Sequence, residues 1–300
     1  MNSNDPSAVN VFIVHWNRPE ECLATIRAFF QQDLPVKISV VDNASRREAF
    51  EFLRERIPAN VELVRLAENR GWGGGLNVLL KSWLEGNDGA YCFVSAHDAL
   101  PAPGCLSQLL AAMNADPRLG IASPEYGKPE LPMFTPVRGA WLAPVPIRQA
   151  GTVELVPFPH GTLMMLRREC LAEIRLFDER YFAYGDETEI GLRARRHNWN
   201  VAIVWGSIVT NPGSWTPSPM LGYLWARSSL LMARTYGGWA SALIRAVLML
   251  IRNAMLGLNP RNWRTLSSPA ARTLAVRDFL LSRFGCPSVE LQNRFRKRTS

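Results

Sequence analysis

Apolar and polar positions alternate with two different periods along the first hundred residues. The runs VNVFIV (9–14), VKISVVD (36–42), VELVRL (61–66) and AYCFVS (90–95) are short, rich in β-branched residues and bounded by turn formers, the pattern of buried strands. Between them the period lengthens to that of a helix. Asn17 and Pro19, followed by Glu20 and Glu21, predict a helix start, and Leu23, Ile26 and Phe30 continue it on one face. Phe50 and Leu53 mark a second helix, and Leu76, Leu79, Leu80 and Trp83 a third. Strands separated by helices predict parallel pairing, with helices on both faces of the sheet. Ligands of such sheets bind beyond the carboxyl ends of the strands. That rule brings Asn17, Asp42, Asn69 and Asp98 to one edge.

From about residue 124 to 156 the period dissolves into a proline-rich stretch, expected to be a loop or short-strand excursion over that edge. Order returns with HGTLMMLRREC (160–170), a buried strand running into a short helix, and with the strand VAIVW (201–205). Between them, RYFAYGDETEIGLRARRHNW gathers Asp186, Glu187 and Glu189 ahead of a basic helix. Acids favour the first turn of a helix, so a solvated helix start accounts for the cluster by itself. Residues 223 to 256 are helical by period and punctuated by Arg227, Arg234, Arg245 and Arg252. Their apolar run, 246 to 251, is far shorter than the roughly 20 residues a bilayer span needs. Arg245 and Arg252 share a helix face opposite an apolar one. Such a helix can lie in a membrane interface, pack on its own core, or form a homodimer contact.

Three hundred residues with 47% hydrophobic content fit one large domain, or one domain with an appendage, and support a sizeable core. The five cysteines are odd in number, scattered and without a CxxC pair, which predicts reduced thiols rather than a disulfide or zinc framework. The opening MNSNDPSAVNVFIVHW has neither the basic start nor the cleavage site of a signal peptide, and reduced thiols of this kind predict a cytoplasmic location. The net charge of +8 is unevenly placed. From Trp215 onward, thirteen Arg or Lys face only Asp278 and Glu290. A basic tail calls for an anionic partner. It contains no recognised DNA or RNA module, so no nucleic acid is expected. An anionic membrane surface is, with the protein peripheral on the inner membrane face.

Four pieces stand in order: VDNAS (41–45), ENRGWGGGLN (68–77), a carboxylate after the fourth strand, and FDERYFAYGDETEIGLR (177–193). Together they resemble the inverting family 2 glycosyltransferases of the GT-A fold, especially the rhamnosyltransferase-like branch that builds bacterial surface polysaccharides. The resemblance covers residues 9 to 235. It implies an α/β GT-A (nucleotide-diphospho-sugar transferase) fold over 1–222, with a mainly parallel central sheet flanked by helices, and a basic, mainly helical C-terminal extension over 223–300. It further implies inverting transfer of a sugar, rhamnose among the candidates, from a dTDP- or UDP-type nucleoside diphosphate donor. The acceptor would be a glycan or a lipid-linked glycan. A GT-A-fold binding or assembly protein that has lost catalysis is the other class left open.

The resemblance also assigns roles. Asp42 accepts the ring N–H of a pyrimidine, as an acceptor-only carboxylate can; an Asx turn with Asn43 and Ser45 accounts equally for that residue. Asn17 and Arg18 stand where the base and ribose are held, or cap the helix. GWGGG is not a dinucleotide fingerprint, because Leu76 occupies the place of the third glycine. Gly71, Gly73 and Gly74 are expected to let the backbone approach the nucleotide, with Asn69, Arg70 and Asn77 supplying polar contacts. Asp98 matches the last acid of the DxD motif, which holds a divalent cation (Mn or Mg) on the diphosphate. Here the motif reads SAHDA, with Ala96 in place of the first acid and His97 as a ligand better suited to Mn²⁺. A late histidine of the family is replaced by Asn211 or a near neighbour, and Arg227 is a candidate for carrying phosphate charge. Glu187 matches the general base and Asp186 the neighbour that orients the acceptor. The family writes this pair in the reverse order, so either is a candidate base. His160, Gly161 and Glu189 fall on the acceptor side, with Arg193 as an ion-pair partner within the helix. Trp72, Trp205 and Trp215 are of a type that stacks on sugars or fills a core.

Overall fold

The computed structural model describes residues 8–86, 88–211, 216, 218–265 and 267–296. The chain divides into two compact units, one made of residues 1–133, 142–177 and 187–212, the other of 134–141, 178–186 and 213–300.

The first unit is built on strands β1 (Val9–His15), β2 (Val36–Asp42), β3 (Glu62–Arg65), β4 (Tyr91–Ala96), β5 (Leu100–Pro101), β6 (Leu119–Glu125), β9 (Val153–Leu155), β10 (Leu163–Arg167) and β11 (Asn200–Thr210). Their order is β3-β2-β1-β4-β10-β6-β11-β5, with β9 paired to β11. The pairs β1–β2, β1–β4, β2–β3 and β6–β11 are parallel, whereas β10 runs antiparallel between β4 and β6. Alternate residues of β1 explain why both faces are covered. Val11 and Ile13 join the core beneath α1 (Pro19–Phe30) and α4 (Cys105–Ala115), while Phe12 and Val14 join the core beneath α3 (Gly71–Glu85), α5 (Arg168–Ile174) and α6 (Asp186–Arg196). Helix α2 (Arg47–Arg56) seats Leu53 in the first of these cores.

One stretch differs from the sequence expectation. Helix α4 and strand β6 fall where no element was predicted, because Gly120 and Pro124 interrupt the apolar run of β6. The proline-rich excursion takes the short-strand form of the two expected: it holds the end of β6, a hairpin of β7 (Glu130–Thr135) with β8 (Gly139–Pro144), and β9. The glycines of GWGGG lie at the start of a helix. Gly71 opens α3 with a left-handed φ of 79°, and Gly73, Gly74 and Gly75 are buried in its first turns. A Cβ at Gly75 would stand 3.2 Å from Val14 Cγ1, so that glycine lets the helix sit close on β1.

The second unit packs α7 (Ser218–Gly257), a 3-10 turn (Pro260–Arg264), α8 (Pro269–Leu280) and α9 (Val289–Arg296). Helix α7 is broken at Gly238, whose φ of 75° no helix residue adopts. Tyr223, Leu224 and Leu230 pack with Ala271, Ala275 and Phe279 of α8 and Phe295 of α9. Arg227 lies inside this core. Its guanidinium donates to Tyr223 Oη (3.2 Å) and to the Gly285 carbonyl (2.5 Å), and Tyr223 in turn donates to Asp278 Oδ2 (2.8 Å). The phosphate-binding role considered for Arg227 is therefore corrected: a cation enclosed and spent on backbone and a tyrosine is a structural fastener.

Candidate active site

The carboxyl edge of the sheet is assembled by register. His15 pairs with Asp42, and Asp42 with Arg65, so three polar side chains from β1, β2 and β3 stand side by side where the strands end. His15 Nδ1 lies 2.8 Å from Asp42 Oδ1, and both side chains are fully buried. The Arg18 N–H donates to His15 Nε2 (3.1 Å), which leaves Nδ1 to carry the proton given to Asp42. The Ser45 N–H donates to Asp42 Oδ2 (3.2 Å), the Asx-turn contact foreseen from the sequence. Burial pushes the Asp42 pKa up, but hydrogen bonds from His15 and Ser45 outweigh it and hold the carboxyl below its ordinary range. His15 was assigned no role in the sequence. Only a register that pairs residues 27 apart reveals it.

The loops beyond these strands are tied together by amides. Asn17, in a left-handed conformation (φ 57°), accepts from the Arg46 N–H through Oδ1 (2.7 Å), and its own N–H donates to Ser45 Oγ (2.8 Å). Asn43 Nδ2 donates to Asn69 Oδ1 (3.1 Å) and to the Gly71 carbonyl (2.8 Å), while Asn43 Oδ1 accepts from the Arg70 N–H (2.9 Å). Ala44, Ser45, Arg65, Leu66 and Ala67 line a shallow hollow beside this clasp. Asn77 has a different employment from the polar contact expected. Its amide brackets the backbone of Phe177, donating to the carbonyl (2.9 Å) and accepting from the N–H (3.0 Å).

At the end of β4, His97 donates through Nδ1 to the Val14 carbonyl (3.1 Å). Its Nε2 is buried with no hydrogen-bond partner. Burial, reinforced by the nearby His15, depresses its pKa to about 4, so Nε2 bears a lone pair at neutral pH. An imidazole fixed by a carbonyl on one nitrogen, with a lone pair on the other, is the arrangement of a metal-binding histidine. Asp98, the next residue, is 8% exposed. Among the described residues no group of three or more His, Cys, Asp or Glu gathers as a cation cage. The unpartnered Nε2 of His97 is the one observed feature at this edge that suits a divalent cation.

His160, Gly161 and Thr162 lead into the neighbouring strand β10. The Ala96 N–H donates to the Thr162 carbonyl (3.0 Å), which joins the start of β10 to the end of β4. Asn211 Nδ2 donates to Thr162 Oγ1 (2.9 Å), so the residue near the family's late histidine is engaged by this strand. The ring of His160 packs on Tyr126 at 4.3 Å, and burial depresses the His160 pKa to about 4. Glu187 runs past Gly161: a Cβ there would lie 3.1 Å from Glu187 Cγ. Burial, then the charge of Glu187, pushes the Tyr126 phenol upward. Neither Tyr126 nor Thr162 was singled out in the sequence.

Helix α6 sorts the acid cluster. Glu189 is buried, and Arg193 grips both its oxygens (3.0 and 2.7 Å) while donating to the Ile174 and Leu176 carbonyls, so the predicted ion pair is present. Asp186 is 3% exposed. Glu187 alone of the three acids is partly exposed. The preceding residues Phe182, Tyr184 and Gly185 have φ of 65°, 64° and 118°. Left-handed conformations in bulky residues are strained, and such strain gathers at functional segments. Of the tryptophans, Trp205 is buried, Trp72 packs on Phe177, and Trp215 lies outside the described residues.

The mainly parallel sheet, with polar groups gathered at its carboxyl edge and an acid-led helix beside it, has the GT-A fold. Residues 6–238 match the glycosyltransferase-like family 2, and the chain belongs to that family. An N-acetylglucosaminyl-diphospho-decaprenol L-rhamnosyltransferase of Mycobacterium tuberculosis is 24% identical over 243 residues, covering 70% of this chain and 79% of that protein. Two solved structures share the fold. The mannosyltransferase PcManGT of Pyrobaculum calidifontis, in complex with GDP-Man and Mn²⁺, superposes with a TM-score of 0.55 at 17% identity, over 94% of this chain and 89% of that one. GalNAc-T7 with UDP, GalNAc and Mn²⁺ gives 0.60 at 16% identity, over 75% of this chain but only 48% of that one.

Proposed function

We propose that this glycosyltransferase moves a sugar with inversion from a dTDP- or UDP-type donor to a glycan or lipid-linked acceptor in bacterial surface polysaccharide synthesis, with rhamnose as the leading candidate sugar. The relative that acts as a rhamnosyltransferase on a lipid-linked acceptor supports this reading. The observation that carries the mechanism is the exposure of Glu187 beside Gly161, while Asp186 is enclosed and Glu189 is held by Arg193.

In this mechanism the Glu187 carboxylate accepts the proton of the acceptor hydroxyl. The hydroxyl oxygen attacks the anomeric carbon from the face opposite the nucleotide, and the bond from that carbon to the diphosphate oxygen breaks. Asp186 orients the acceptor through the first turn of α6, and His160 with Gly161 forms the floor on which it rests. The hollow lined by Ser45 and Arg65 receives the base, with Asp42 held by His15 and standing 3.7 Å from Arg65 behind it, and Asn17, Arg18, Asn69 and Arg70 surround the ribose and phosphates. The glycine-opened start of α3, at Gly71, Gly73 and Gly74, gives the diphosphate a close backbone approach. His97 and Asp98 would hold a divalent cation, which when bound neutralises charge on the leaving diphosphate. The incomplete DxD favours Mn²⁺ over Mg²⁺ there.

A thermal-shift panel of dTDP-, UDP- and GDP-sugars, each with and without Mn²⁺, tests the donor reading. A ligand at 100 times its Kd adds about 2.7 kcal/mol to apparent stability. The expected result is a shift with thymidine or uridine diphosphate sugars that Glu187→Gln retains while losing transfer by about 10²-fold or more. A panel in which no nucleoside diphosphate sugar shifts the transition overturns the donor reading, and wild-type transfer by Glu187→Gln overturns the base assignment.

A further inference from the structure

The second segment of α7, beyond the break at Gly238, is packed inside out. Its buried positions are Ala242, Ala246, Met249 and Asn253, which face α8 at Ala271 and Ala275. Its large aliphatics point the other way: Leu243, Val247, Leu248, Ile251, Met255 and Leu258 are exposed, Val247 at 55% and Leu258 at 86%. They recur at three- and four-residue spacing, so they form one continuous stripe rather than scattered single residues. Trp239 stands at one end of the segment and Trp263 at the other, both exposed. The Trp263 indole N–H donates to the Gly257 carbonyl (3.2 Å), which pins its ring at the end of the helix.

Charge decides what covers the stripe. Residues 239–263 contain no acid, and Arg252 and Arg261 are exposed beside the apolar face. Arg245 is turned inward, donating to Ser229 Oγ (3.1 Å) and to the Val137 carbonyl (2.6 Å), so it does not interrupt the stripe. Of the two arginines expected to share one helix face, packing against the hairpin tip takes up Arg245 and leaves Arg252 exposed. Of the three outcomes foreseen for this helix, packing on its own core holds for one side only: Ala246 and Met249 are buried against protein, and Ile251 is exposed. A second copy across a two-fold axis would set one basic rim against another with no acid between them. A bilayer span is also unsuited, because α8 is packed along the inner side of the segment and brings Arg272, Arg277 and Asp278 with it.

We infer that residues 239–263 form an interfacial docking helix for anionic lipid surfaces, inserting the Leu243–Leu258 stripe among acyl chains, with Trp239 and Trp263 at headgroup level and Arg252 and Arg261 on lipid phosphates. The inference is independent of the donor and the chemistry, and its test requires neither.

The intact protein is sedimented with phosphatidylcholine vesicles and with vesicles containing about one-third phosphatidylglycerol, at low and high salt. Binding to the mixed vesicles is expected, reduced by salt without vanishing. The double variant Leu248→Ser/Ile251→Ser changes only exposed positions and should keep the wild-type melting temperature. Its partition should fall at least tenfold at both salt concentrations. Arg252→Gln/Arg261→Gln should abolish only the excess on anionic vesicles. Wild-type protein that stays in the supernatant with both vesicle types overturns the inference, as does undiminished binding by Leu248→Ser/Ile251→Ser. A wild-type dimer that binds no vesicle and becomes monomeric in that variant overturns it in favour of a copy-to-copy interface.

Discussion

Replacing Gly161 with alanine should disable the base without touching it. The added Cβ would stand 3.1 Å from Glu187 Cγ and 3.4 Å from both Cβ and Cδ. Carbon atoms pack at about 3.5–4.0 Å, so the glutamate must retreat by a few tenths of an ångström. It is a flexible, partly exposed side chain, and Gly161 is not among the glycines with positive φ. The change should therefore leave stability within about 1 kcal/mol. Catalysis is less tolerant. A misplacement of 1 Å costs on the order of 10²-fold, so kcat should fall by roughly 4- to 10-fold, or about 0.8–1.4 kcal/mol in the barrier. The assay is release of nucleoside diphosphate from the donor identified by thermal shift, in the wild type, in each single variant, and in Gly161→Ala combined with Glu187→Gln. If the alanine acts through the glutamate, it should add nearly nothing once the base is gone, a coupling that the double-mutant cycle reads directly. Wild-type kcat in a folded Gly161→Ala, or fully additive losses in the double variant, would refute the placement of Glu187 at the reacting hydroxyl.

Other consequences follow from the same geometry. The folded-state pKa values of His97 and His160, about 4, lie below the ordinary 6.5, so the unfolded chain takes up protons first as pH falls. Their stabilisation is present above pH 6.5 and lost toward pH 4, by up to roughly 3 kcal/mol each, less whatever solvent reaches at the ring edges; urea midpoints unchanged over that window would contradict it. Gly185→Ala should be destabilising by about 1–3 kcal/mol, since its φ is 118° and a Cβ would stand 2.9 Å from Met232 Cε, and a wild-type melting curve would remove the strain argument. Asp98→Ala should weaken binding of a nucleoside diphosphate sugar in Mn²⁺ by at least tenfold while leaving the free nucleoside unaffected. Equal losses for both ligands by calorimetry would place Asp98 away from the phosphates.

What the sequence determined by itself is the local alternation and the motif order. The four strands of the first hundred residues and the helices between them are written in residue period, because burial on both faces requires β-branched runs and one-sided helices require a repeat of three or four. The edge residues Asp42, Asp98 and the acid trio were legible for the same reason, since strand ends and helix starts are local. Partnership was not. Pairing of His15 with Asp42 depends on the register of β1 on β2, and the contact of Gly161 with Glu187 joins segments 26 positions apart in sequence. Successive helix residues point about 100° apart, so which of Asp186 and Glu187 is enclosed depends on how α6 docks, and that is a tertiary fact. The second half of α7 makes the point most sharply. Its period announces an apolar stripe, and the usual rule sends such a stripe inward. Tertiary packing chose otherwise, because Ala242 and Ala246 let the helix approach α8 more closely than leucine or isoleucine would, and that close approach leaves the bulky side chains facing out.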